Sequence, residues 1–190
     1  MAKILVLVSR ELVHFTRKTQ SAPFTKTHNL YKVLLPAVTK AFDLPVIAAG
    51  GFLDGPTMAA ALALGAEGVQ LGTVMVSSSE SPVHDNWKQA IIGATETDTV
   101  FLNGHSSPAL RAIRTEYSER LEAEHERNVM ADFGRPADVY FGGDLTAGIA
   151  LSGQVAGRID ASRPVADIIG ECARECQEVL DALARRYPAH

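Results

Sequence analysis

Residues 44–73, LPVIAAGGFLDGPTMAAALALGAEGVQLGT, constrain the fold more than any other part of the chain. The short apolar run PVIAAGG has the character of a parallel strand covered on both faces. Asp54 supplies a helix cap, Pro56 suits a first helical turn, and Gly65 ends the helix that PTMAAALALGAE predicts. GVQLGTVMV then reads as a second strand. Strand, helix and strand within about thirty residues make a right-handed parallel crossover. This part of the chain is therefore α/β.

The flanking segments extend that pattern. KILVLV predicts a strand over residues 3–8, and THNLYKVLLPAVTKAF a helix whose apolar side carries Leu30, Val33, Leu34, Val38 and Phe42. The stretch between them has no clear period. Beyond Ser77 the character changes: SSSESPVHDNWKQAIIGA predicts a serine-capped helix, DTVFLNG a short extended piece, and SPALRAIRTEYSERLEAEHERN a long charged helix. FGRPADVYFGGD reads as loop, LTAGIALSGQVAGRI as a small-residue helix, and SRPVADIIGECARECQEVLDALARRY as a terminal amphipathic helix.

With 190 residues, 46% of them hydrophobic, the chain can bury the core of one domain carrying an insert. Its net charge is −4 and its 18 Lys and Arg are scattered, so neither nucleic acid nor an anionic membrane is expected as a partner. The apolar run near Met1 is shorter than a signal-peptide core or a membrane span, which predicts a cytoplasmic protein. Cys172 and Cys176 sit four apart on a predicted helix with no other ligand at metal-binding spacing. They read as packed or surface thiols, and no metal is expected.

Glycine at the carboxyl end of a parallel strand lets a ligand approach the backbone, because no Cβ stands in the way. Gly50 and Gly51 end one strand; Gly72 and Thr73 sit in or at the end of the next. Such strand ends are where α/β proteins bind ligands. Their backbone N–H groups, with the Thr73 hydroxyl, can hold a phosphate without lysine. The same glycines also serve a tight turn or close helix packing, and spacing alone leaves both readings open.

The segment from residue 44 to about 83 closely resembles the last two strand units of the nitronate monooxygenase family, and a looser match through RAIRTEY and GIALSGQVAGRI extends over roughly three quarters of the chain. The FMN-dependent enoyl-acyl carrier protein reductases share the motif pair. The resemblance implies the C-terminal part of an FMN-binding TIM barrel, with parallel strands in residues 1–76 and 147–190 and a mostly helical insert over 77–146 on the substrate side. It implies that FMN places its phosphate at the two turns. Gly51 would contact the phosphate, Gln70, Leu71, Gly72 and Thr73 would form the second wall, and Gly50 would be an additional contact.

Two departures shape the functional expectation. A full barrel of this class takes about 250 residues, so the chain is expected to hold only part of one, as a divergent, alternative or truncated form. The family's histidine-bearing GGHxG loop has no counterpart in KTQSAPFTKTHNLYKVLLPAV. His28 is the nearest histidine there, and His105, in LNGHSSP, is the other candidate for a base toward substrate. Parallel strands cut from a barrel expose unpaired edges, which implies a homo-oligomer or a partner chain covering them. Three readings follow: an FMN-dependent enzyme oxidising alkyl nitronates with O2 to carbonyl compound and nitrite; an enoyl-acyl carrier protein reductase-like enzyme; and a catalytically silent half-barrel serving as an interaction module. The first two act on a small-molecule substrate.

Overall fold

The computed structural model describes residues 5–8, 31–104, 109–124 and 128–188. The chain forms two compact units, one made of Met1–Leu71 with Ile169–His190 and the other of Gly72–Ile168.

The first unit is built on three parallel strands, β1 (Leu5–Val8), β2 (Val46–Ala49) and β3 (Gly68–Gln70), in the spatial order β1-β2-β3. β2 is the central strand, and Val46, Ala48 and Ala49 are buried, as expected of a strand covered on both faces. Helix α1 (Tyr31–Ala41) precedes it and sends Leu34, Leu35 and Val38 into one apolar cluster with Val46, Ala48, Phe52, Ala61 and Ala66. Helix α2 (Gly55–Ala63) makes the crossover to β3. Its start is fixed by a capping box: Asp54 Oδ1 accepts from Thr57 N at 2.9 Å while Thr57 Oγ1 reaches back to Asp54 N at 3.4 Å.

Helix α7 (Val165–Arg186) runs mainly in the same unit. It comes very close to the first turn of α2. A Cβ on Gly55 would stand 2.2 Å from Glu175 Cβ and 2.3 Å from Cys176 N, so only glycine lets the two backbones meet. The Gly55 amide uses that closeness, donating to Glu175 Oε2 at 3.1 Å.

The second unit begins with α3 (Thr73–Val76) and α4 (Asp85–Ile92). An antiparallel pair follows, β4 (Thr99–Leu102) with β5 (Leu110–Ile113), then α5 (Glu116–Ala123), a 3₁₀ turn at Val129–Asp132, α6 (Pro136–Tyr140) and a second 3₁₀ turn at Gln154–Arg158. Residues 150–152 lie along β5: Ile113 N donates to Ala150 O at 2.9 Å and Ser152 N to Arg111 O at 3.0 Å. Val100, Leu102, Ala112, Leu121, Val129 and Ile149 form its apolar cluster. Trp87 stacks on Tyr140 at 4.3 Å between ring centroids, and burial raises the Tyr140 phenol above its usual value.

Several elements differ from the sequence expectation. GVQLGTVMV is not one strand; it stops at Gln70 and resumes as α3, with Gly72 at the break. The long charged helix is shorter, because Leu110–Ile113 pairs with β4 instead. The small-residue stretch LTAGIALSGQVAGRI is an extended piece plus a 3₁₀ turn, and the FGRPADVYFGGD loop holds α6. The stretch read as mostly helical thus includes an antiparallel sheet.

Candidate functional site

Within the first unit, β2 and β3 run parallel with Ala49 paired to Gln70. The residues that leave these strands, Gly50 and Gly51 after β2 and Leu71 after β3, therefore start from the same sheet end. Gly50 has φ +106° and Gly51 φ +80°, backbone that a side chain rarely adopts. The glycine pair is thus required by the turn itself. A Cβ at Gly51 would meet nothing within 4 Å among the described residues, so the turn is also open. Gln70 is exposed.

Gly72 and Thr73 open the second unit. Gly72, at φ −112° and ψ −81°, lies outside the main α and β regions, and a Cβ there would also meet nothing within 4 Å among the described residues. Packing among the described residues does not call for glycine at this position. Thr73 Oγ1 accepts a 2.8 Å hydrogen bond from Gly153 N, the residue that caps the second 3₁₀ turn. That link was not legible in the sequence, where Gly153 stood among small residues with no spacing that marked it.

The starts of the longer helices are occupied by the chain's own groups. The first turn of α2 carries the Asp54 carboxylate and the Glu175 carboxylate. Val165, at the start of α7, donates to both oxygens of Glu80 at 3.0 Å. The Ser79 hydroxyl and this amide hold the Glu80 carboxyl below its usual range. His84 caps α4, its Nδ1 accepting from Asn86 N at 3.1 Å. An anion reaching α2 or α7 would meet carboxylates.

The candidate histidines His28 and His105 lie outside the described residues. Cys172 and Cys176 are buried, with Cys172 Sγ 3.8 Å from Met58 Sδ. Burial, followed by the charges of Cys176, Asp54 and Glu175, pushes the Cys172 thiol up. Among the described residues no three His, Cys, Asp or Glu side chains gather in a way that could hold a metal ion, and no helix is long and apolar enough to cross a membrane.

The same fold occurs in proteins of known structure. FabK from Thermotoga maritima superposes with a TM-score of 0.75 at 38% identity, over 82% of this chain and 51% of that one. A nitroalkane oxidase from Streptomyces ansochromogenes gives 0.66 at 25% identity, over 80% and 45%. Among curated sequences, a probable nitronate monooxygenase from Staphylococcus aureus strain Newman is 40% identical over 88 residues, 46% of this chain and 25% of the relative. The chain spans about half the length of these solved relatives, and the matched part is a quarter of the curated one. The nitronate monooxygenase family model matches residues 20–175, most of the chain, and the chain belongs to the nitronate monooxygenase family.

Proposed function

We propose that this chain is the phosphate-anchoring part of an FMN-dependent oxidoreductase of nitronate monooxygenase type, with β2 and β3 as the last two strands of a TIM barrel. The observation that carries the reading is the left-handed glycine pair at the carboxyl end of β2, open at Gly51 and starting from the same sheet end as the residue that leaves β3. The FMN phosphate would be held by backbone at Gly50 and Gly51, by Leu71 and Gly72, and by the Thr73 hydroxyl, with Gln70 reaching the ribityl chain or the ring. Backbone donors suit a dianion here because the chain is acidic and offers no basic patch.

When bound, FMN would supply the electron chemistry by which O2 converts an alkyl nitronate to a carbonyl compound and nitrite. The protein's share is anchoring, orientation and control of access. The outer edges of β1 and β3, which pair only with β2 among the described residues, are covered in this reading by strands of a second copy or of a partner chain. Buried free thiols at Cys172 and Cys176 suit the reducing cytoplasm. The test is flavin-dependent nitrite release from an alkyl nitronate in air. Protein that carries FMN and yields no nitrite above free FMN sinks the catalytic part of the reading.

A second reading, an FMN-dependent enoyl-acyl carrier protein reductase, is kept open by a shared fold. The enoyl reductase domain of MlnA from Bacillus amyloliquefaciens superposes with a TM-score of 0.66 at 14% identity, a likeness of fold alone. Anaerobic mixing separates the two: bleaching of the flavin by NADH or NADPH selects the reductase, and inertness to both selects the monooxygenase.

A further inference from the structure

We infer that Gly153 is a positioning residue: its amide fixes the Thr73 hydroxyl as a hydrogen-bond donor, and so makes the Gly72–Thr73 turn selective for an anionic acceptor. The inference rests on the phosphate reading above and deepens it. A threonine hydroxyl has one hydrogen to give and two lone pairs to receive with. Gly153 N donates to Thr73 Oγ1 at 2.8 Å, so one lone pair is spoken for and the hydroxyl hydrogen must point away from Gly153. Among the described residues no acceptor receives that hydrogen.

The identity of residue 153 follows from the same contact. Its φ is −80°, so the backbone does not ask for glycine. A Cβ there would stand 3.0 Å from Thr73 Oγ1, so that the oxygen would have to give by a few tenths of an ångström, with Val155 Cγ1 next at 3.7 Å. Glycine at 153 lets Thr73 Oγ1 sit where it does without that shift. Residue 153 is held in turn by its neighbours, since Ser152 N is bonded to Arg111 O and Ala156 N to Gly153 O at 3.1 Å. Through that ladder β5 carries the donor to Thr73. A hydroxyl oriented this way favours a group with only acceptors, such as a phosphate monoester, over one that also brings donors.

Affinities for FMN and for riboflavin, which lacks the phosphate, separate this role from a structural one. They are measured by fluorescence titration on the full chain, for the unaltered protein and for Thr73→Ser, Thr73→Val, Gly153→Ala and the double variant that combines Thr73→Val with Gly153→Ala. Loss of one charge-assisted hydrogen bond weakens binding by about tenfold or more. Thr73→Val and Gly153→Ala are each expected to lose that factor for FMN and nothing for riboflavin. The double variant should lose no more than Thr73→Val alone, and Thr73→Ser should restore the preference for FMN.

Additive losses in the double variant, equal losses for both flavins, or a Gly153→Ala protein that binds FMN unchanged would each overturn the role of Gly153. An unaltered protein that binds FMN no better than riboflavin overturns the phosphate reading, and this inference with it. Should Gly153→Ala not fold, the Gly153 amide proton resonance decides: it is expected downfield in the unaltered and Thr73→Ser proteins and shifted upfield in Thr73→Val. An amide indifferent to that change removes the hydrogen bond and the inference.

Discussion

The four glycines at the two turns and at residue 153 have different reasons to be glycine, and substitution tells them apart. Gly51 is held at φ +80°, so Gly51→Ala is expected to cost about 1–2 kcal/mol in urea unfolding, whether or not flavin is present. Gly72 has a negative φ, and a Cβ there would meet no atom within 4 Å among the described residues. Gly72→Ala is therefore expected to cost less stability than Gly51→Ala while weakening FMN, because the added methyl occupies the space assigned to the phosphate. A Gly72→Ala protein that binds FMN normally removes Gly72 from the site. The buried, raised Cys172 thiol gives a third expectation at this scale: reaction with a thiol reagent is slow in the native protein and becomes fast on unfolding.

At the level of elements, the helix starts test whether the chain's own carboxylates occupy them. Asp54→Ala removes the cap of α2 and is expected to cost about 1 kcal/mol. Glu80 at the start of α7 has a folded-state pKa below its usual value, so its contribution is present above that usual value and lost as pH falls through the lowered one. Glu80→Gln should therefore flatten the acid side of the stability profile; an unchanged acid limb would remove Glu80 as a cap. The crossover from β2 through α2 to β3 was legible in the sequence because its signals are local: the apolar run, the Asp54 cap, Pro56, and Gly65 after the last turn. The errors fell where pairing is non-local. Leu110–Ile113 becomes β5 because β4 lies opposite, and residues 150–152 extend because β5 offers Arg111 O and Ile113 N. Nothing within either short segment announces its partner. The same cause hid Gly153, whose role depends on an oxygen eighty residues earlier in the chain.

For the whole molecule, the parallel sheet raises the question of assembly and the two turns that of cofactor. Both outer strands of that sheet pair only with β2 among the described residues, and an oligomer or a complex is expected, seen by light scattering as a mass at least twice that of the chain. A monodisperse monomer would remove the proposed covering of the edges. The two turns at the carboxyl ends of β2 and β3 were readable as a pair from residues alone; the left-handed backbone of Gly50 and Gly51 was not, because it is a property of the folded chain. The central claim is that these turns hold the phosphate of FMN. Equilibrium dialysis of the purified chain against FMN and riboflavin tests it most directly: the account predicts one FMN retained per chain, at least about tenfold more tightly than riboflavin, and a chain that retains neither flavin, or both equally, would contradict it.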